Sequence, residues 1–240
     1  MKGRQFTLDL GQRPAQGRED FLVAPCNETA VAWLDRWPAW PAPALTLYGP
    51  AGCGKSHLAE VWRARSGARI VGLAALADDD LRQAAATIIE DVDAGLTPAL
   101  EAPLLHLYNW LAEGGGHLLL TARTPPARWP LGLADLASRL KAAPAVGVAL
   151  PDEPLIAALL VKLFADRQLR VGEGVIAFLL GRMERSFAAA RALVAALDAA
   201  ALSSRRNITV PLAGAVLAAW PAALDEKDAH KEREEPWISD

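Results

Sequence analysis

The run Gly49-Pro50-Ala51-Gly52-Cys53-Gly54-Lys55-Ser56 constrains this chain more than any other stretch. It matches G-x-x-x-x-G-K-[ST] in full, follows a strand-like run, ALTLY (44–48), and opens a helix-like one, SHLAEVWRAR. Such a loop functions at a strand-to-helix turn. Glycines let the backbone curl so that consecutive N–H groups face phosphate oxygens, and the helix N-terminus adds positive dipole. Lys55 is then placed to reach the β- and γ-phosphates, and the Ser56 hydroxyl to ligate Mg²⁺. His57 follows as the last of the nucleotide-binding positions, although on its own it reads, like His106, as an ordinary helix residue. Cys53 reads as a small filler, its alternative being an oxidisable thiol. The expected cofactors are ATP or ADP with Mg²⁺.

A phosphate loop of this kind expects a parallel sheet, and the chain supplies one. Apolar runs ARIVGL (68–73), ATIIE (86–90), HLLLT (117–121) and VGVAL (146–150) alternate with helix-like PLLHLYNWLAEGG and LADLASRLKAAP. Strand–helix alternation predicts an α/β fold with helices on both faces of the sheet. Beyond Pro151 the pattern changes to four amphipathic helical segments, 152–169, 172–182, 186–203 and 211–220, with no strand between them. The expected organisation is an N-terminal arm (1–18), an α/β nucleotide-binding domain (19–151), a small all-helical domain (152–221) and a charged tail (222–240).

A second acidic element belongs on a later strand, and ATIIEDVD provides Glu90 and Asp91. Carboxylates at that strand end meet Mg²⁺ or its water; the bland reading is an ordinary turn. Trp33, Trp37 and Trp40, interleaved with prolines, read as packing and loop residues rather than a base-stacking platform.

Composition excludes several classes. At 240 residues, 52% hydrophobic and 22% charged, the chain can bury a substantial core. The apolar windows LIAALLVKLF and AAARALVAALDAAAL are interrupted by Lys162, Arg191 and Asp198, which argues against membrane spans. Two cysteines, Cys26 and Cys53, fit a reducing cytoplasm, and no Cys/His spacing points to zinc. The net charge is −3, of which DEKDAHKEREEPWISD contributes −4, so no basic face for direct nucleic-acid binding stands out.

The phosphate loop, ATIIEDVD, HLYNWL (106–111), HLLLTARTPP (117–126), LASRL (136–140) and the helical end occur in the order of AAA+ ATPases. More narrowly, they resemble the ATPase module of the bacterial replication initiator DnaA. EDFLVAPCNETA (19–30) resembles that family's segment ahead of the first strand, which helps hold adenine. The resemblance runs over about 19–220. Without the initiator's long N-terminal domain or its DNA-binding domain, the pattern resembles the Hda-type regulatory inactivators of DnaA. That family carries a sliding-clamp-binding hexapeptide in its arm, which QFTLDL resembles through Gln5, Phe6, Leu8 and Leu10. Read without the family, the same alternation describes a strand edge.

The resemblance implies further roles. Arg139, in LASRL, is the counterpart of the arginine finger, a guanidinium that reaches the γ-phosphate held by a neighbouring subunit. Thr121 falls at the first sensor position, where an unremarkable strand-end threonine is an equal reading. Three departures imply weak or absent intrinsic ATPase activity. Glu90 stands where the family has Asp, Arg123 stands where relatives are acidic, and Ala188 occupies the second sensor position, with Arg185 and Arg191 about one turn away. The implied function is negative regulation of replication initiation: the protein binds the clamp, contacts DNA through it, and promotes hydrolysis of ATP on DnaA. A homo-oligomer is compatible with this. The alternatives are a DNA-stimulated AAA+ ATPase of helicase-loader type and a small-molecule P-loop kinase.

Overall fold

The sequence ALTLY is apolar at nearly every position because it becomes a strand covered on both faces, the usual state of a central parallel strand. In the computed structural model, which describes residues 22–77, 84–204 and 206–219, it is β1 (Ala44–Tyr48). Four more strands join it: β2 (Arg69–Val71), β3 (Ala86–Ile89), β4 (His117–Ala122) and β5 (Ala145–Gly147). All pairings are parallel, in the order β2-β3-β4-β1-β5. The hexapeptide Gln5–Leu10 and the acidic tail lie outside the described residues.

The chain divides into two units, Met1–Pro151 and Asp152–Asp240. In the first, helices α1 (Glu28–Asp35), α2 (Lys55–Ser66), α3 (Val92–Gly95), α4 (Pro98–Glu113) and α5 (Ala134–Ala142) surround the sheet. Strand pleating sorts the core into two layers. Leu118 and Leu120 of β4 face Leu104, Leu107 and Leu111 of α4 and Leu136 and Leu140 of α5. Leu119, between them, faces the other way, into a layer with Leu45 and Leu47 of β1, Leu34 of α1 and Leu58 and Trp62 of α2. That second layer carries an aromatic cluster. Trp40 stacks on Trp62 at 5.3 Å between centroids, Trp37 meets Trp62 edge-on at 6.1 Å, and His117 stands edge-on to Trp37 and Trp40. The tryptophans between the prolines are packing residues, with the Trp40 indole donating to the Trp33 carbonyl oxygen at 2.7 Å.

Two helices depart from the sequence expectation. α1 has no counterpart in it, and α4 begins at Pro98, five residues before the expected start at Pro103. Proline is well placed in a first helical turn, where the missing N–H would be unpaired anyway. Pro103 is then accommodated inside the same helix. The second strand is also shorter than expected, since Leu73–Ala77 turns into a 3₁₀ helix.

The elements among the second unit's described residues are all helices: α6 (Glu153–Asp166), α7 (Glu173–Leu180), α8 (Phe187–Ser204) and α9 (Val210–Ala219). Asp152 caps α6 by accepting the Leu155 N–H at 2.9 Å, and Ser186 caps α8 by accepting that of Ala189 at 3.1 Å. Each helix buries one stripe: Leu155, Ile156, Leu159, Leu160 and Phe164 on α6, and Ala190, Leu193, Val194, Leu197 and Ala201 on α8. By length and composition α8 is apolar enough to cross a bilayer, contrary to the expectation for its sequence window. Its buried stripe packs on α6, and Asp198 lies 3.8 Å from Arg167.

Candidate nucleotide-binding site

The order of strands leaves the carboxyl ends of β3, β4, β1 and β5 side by side, and the expected site residues gather at that edge. Gly49 leaves β1 so close to its neighbour that a Cβ would collide with the Val148 carbonyl oxygen and press the Cys53 sulfur at 3.1 Å. Gly54, at φ 101°, is the left-handed residue that turns the loop into α2. Both glycines are therefore required by the backbone path, as a phosphate cradle demands.

Lys55 is buried at 7% exposure, with its ammonium donating to the carbonyl oxygens of Gly49 (2.8 Å) and Pro50 (3.0 Å). A phosphate oxygen competes well for those protons, because it meets the ammonium with a negative charge where the carbonyls offer only a dipole. The Cys53 sulfur lies 3.9 Å from the same ammonium. Burial pushes the Cys53 thiol up, and the Lys55 charge and hydrogen bonds only partly oppose it. It thus remains protonated near neutral pH, as a filler residue would. Ser56 is exposed on the first turn of α2 and His57 is half-buried.

Glu90 sits just past β3. Its Oε1 is buried and has no hydrogen-bond partner. A buried carboxylate oxygen without a donor is costly, and a divalent cation or its water would satisfy it. Asp91 is exposed, adopts φ 50° and opens α3; its backbone N–H donates to Thr121 Oγ1 at 3.0 Å. Thr121 itself is 1% exposed. The acidic strand end and the sensor-position threonine are thus brought together, with the threonine proton left to donate elsewhere.

Two carboxylates that sequence reasoning passed over organise the surroundings. Asp93 of α3 accepts from the Arg123 N–H (2.9 and 3.1 Å to its two oxygens), the Thr124 N–H (2.8 Å) and the Thr124 hydroxyl (2.8 Å). Burial disfavours its charge, but these donors outweigh that and hold its carboxyl below the ordinary 3.8. Glu101 of α4, 4% exposed, accepts the N–H groups of Gly132 (3.0 Å) and Leu133 (2.6 Å) just ahead of α5. Asp93 lies within the quoted ATIIEDVD, but a side chain bonding backbone about 30 residues later has no local signature.

Arg139 lies on α5. Its Nε is 3.1 Å from Asp135 Oδ1, and its guanidinium lies 5.8 Å from the Tyr108 ring centroid. Burial raises the Tyr108 phenol, with the Arg139 charge pulling the other way. Among the described residues Arg139 makes these contacts and none with the phosphate loop. In the second unit, Arg185 pairs with Glu153 at 2.8 Å, while Ala188 is exposed on α8.

A cavity of about 490 Å³ opens beside the loop, lined by Pro25 and Cys26, by Tyr48 to Pro50, by Arg123 to Pro125, by Arg128 and by Gly147 to Ala149. The segment carrying Pro25 and Cys26 is fixed locally. Asn27, 2% exposed, accepts from the Ala24 N–H and donates to the Leu22 carbonyl oxygen, and the Ala149 N–H donates to the Cys26 carbonyl oxygen.

Comparison with known proteins agrees with this architecture. Residues 152–217 match the family model described as the Hda lid domain. Domain III of the Thermotoga maritima replication initiation protein DnaA superposes with a TM-score of 0.73 at 17% identity, over 83% of this chain and 94% of that domain. AMPPCP-bound DnaA from Aquifex aeolicus matches at 0.63 and 16% identity, over 74% of this chain and 63% of that one. The Thermotoga maritima RuvB branch migration motor matches at 0.63 and 13%, over 80% and 67%. The chain therefore has the AAA+ fold of DnaA domain III, and its residues 152–217 are similar to the lid domain of Hda.

Proposed function

We propose that this chain, a DnaA-like AAA+ protein with an Hda-type lid, is a nucleotide-binding negative regulator of bacterial replication initiation. It docks on the sliding clamp through Gln5, Phe6, Leu8 and Leu10, meets DnaA, and completes the ATPase site of DnaA in trans through Arg139. The observation that carries this reading is the pairing of a complete phosphate loop with a lid of the Hda family on one chain.

The residues fit a nucleotide and its metal ion. The glycine-bounded loop and Lys55 hold phosphates. Ser56, with its exposed hydroxyl, and Glu90, with its unpartnered buried oxygen, offer hard oxygen ligands to Mg²⁺. The metal neutralises charge on the phosphates when bound. Thr121 and Asp91 fix the strand-end backbone beside that position. Arg139 contacts nothing on its own phosphate loop, which supports a role on a neighbour's nucleotide. Its pairing with Asp135 orients the guanidinium along the exposed side of α5. An extended QFTLDL can place the Gln5 amide in a polar niche and Leu8 and Leu10 in apolar pockets of the clamp.

The test measures hydrolysis of DnaA-bound ATP with DNA-loaded clamp, with and without this protein. Intact protein is expected to accelerate hydrolysis, Arg139→Ala to reduce the acceleration at least a hundredfold, and Gln5→Ala/Leu8→Ala to remove clamp binding. Acceleration that survives Arg139→Ala would refute the finger. DNA-stimulated hydrolysis by the protein alone would favour the motor-type alternative.

A further inference from the structure

We propose that Tyr108, together with Asp135, is a positioning residue for Arg139, holding its guanidinium at one place on α5 while leaving its terminal nitrogens to a phosphate. This rests on the reading of Arg139 as a finger that acts on DnaA-bound ATP. Tyr108 is the tyrosine of HLYNWL.

The arrangement begins on α4, whose buried residues Glu101, Leu104, Leu107, Tyr108 and Leu111 recur at helical spacing. Glu101 and Tyr108 stand seven residues apart and so share one face of that helix. This face meets α5 at both ends. At the entrance the Glu101 carboxylate accepts the N–H groups of Gly132 and Leu133. In the last turn the Arg139 guanidinium lies over the Tyr108 ring, 5.8 Å from its centroid. Tyr108 is 6% exposed and packed in one cluster with Leu136 and Leu140 of α5, so its ring is a fixed surface. The Arg139 side chain is 40% exposed, and without such a surface it would move among many rotamers.

The two contacts use different parts of the guanidinium. Asp135, one turn earlier on α5, accepts the Nε proton at 3.1 Å. The ring attracts the charge through its quadrupole and takes none of the donors. Among the described residues the terminal nitrogens of Arg139 therefore make no hydrogen bond. Those nitrogens are the donors that a phosphate takes in bidentate fashion. A group already in place needs no ordering as the reaction proceeds, so its positioning acts on the turnover rate rather than on docking. The Tyr108 phenol, raised by burial, is pulled back by the Arg139 charge, as expected of electrostatic neighbours.

Hydrolysis of DnaA-bound ATP on DNA-loaded clamp, followed against increasing concentrations of the full chain, tests this. Tyr108→Leu should lower the maximal acceleration about tenfold and leave the half-saturating concentration within about twofold. Tyr108→Phe keeps the ring and should restore the maximum. Asp135→Asn, at an exposed position, should lower the same maximum. In an Arg139→Ala background, Tyr108→Leu should lower it no further. The readout that needs no partner is NMR relaxation of the Arg139 Nε–Hε group, assigned by its loss in Arg139→Lys. In the parent chain its order parameter should be near the rigid-backbone value of about 0.85, falling below about 0.6 in Tyr108→Leu. Circular dichroism checks that Tyr108→Leu folds; if it does not, the parent chain's order parameter and Asp135→Asn decide. A flexible Arg139 in the parent chain overturns the positioning role and leaves the finger. So does a Tyr108→Leu maximum that matches the parent while Arg139→Ala is inactive, or a Tyr108→Phe that fails to restore it. An Arg139→Ala variant that accelerates hydrolysis like the parent overturns the finger, and the positioning role with it.

Discussion

Asp93 shows how much a single carboxylate can organise without touching a ligand. It is bonded by two backbone N–H groups and one hydroxyl of the segment after β4, and those donors depress its ionisation. The sign of the pH effect follows from that depression. Stability from Asp93 is fully present above the unfolded value near 3.8 and is lost as pH falls through the lower folded value. Asp93→Asn should therefore cost about 1–2 kcal/mol in urea unfolding at pH 7. The gap from the parent protein should close below the depressed folded value. A gap that stays constant into acid would mean the carboxylate charge is not what holds the loop. The Asp93 side chain was out of reach of sequence reasoning although its neighbours Glu90 and Asp91 were singled out. Strand-end acids have a motif, whereas a carboxylate that meets backbone N–H groups 30 residues later has only the fold to announce it.

Elements were legible to the degree that their signals were local. The apolar runs of β1, β3 and β4 and the stripes of α6 to α8 appear within a few residues of their expected bounds. Buried parallel strands and amphipathic helices advertise themselves through periodicity. α1 was missed because its eight residues are packed among tryptophans and prolines that read as loop. The start of α4 was missed because Pro98 at a first turn and Pro103 inside the helix both look like stops. What sets α5 in place was equally invisible: Glu101, on α4, accepts the N–H groups of Gly132 and Leu133 at the entrance to the helix that carries Arg139. Removing it breaks both carboxylate hydrogen bonds at a part-buried site, so Glu101→Ala should destabilise the protein by about 2 kcal/mol. It should also lower the effect of Arg139 on DnaA-bound ATP, whereas Arg139→Ala should leave unfolding nearly unchanged because its pair with Asp135 is exposed. Loss of the ATPase effect without any loss of stability in Glu101→Ala would separate the carboxylate from helix placement.

At the scale of the molecule, two units share one chain, each with buried residues of its own, and nucleotide is expected to act on the first of them. A ligand at a hundred times its Kd stabilises the form it binds by about 2.7 kcal/mol. Differential scanning calorimetry with ADP and Mg²⁺ should show an upward shift of the transition belonging to the phosphate-loop unit. Lys55→Ala should abolish that shift, and an equal shift in the variant would place the nucleotide elsewhere. The aromatic cluster of that unit offers an independent optical view. Trp40 and Trp62 lie 5.3 Å apart with their planes at 21°, and Trp62 belongs to α2, the helix that Lys55 begins. Indoles so close share electronic excitation, and their fixed chiral offset splits the absorption into a circular dichroism couplet. The couplet disappears when the rings part, while the amide signal of the helical second unit can persist. The protein thus carries, without any attached label, its own spectroscopic report on the helix that begins at the phosphate loop.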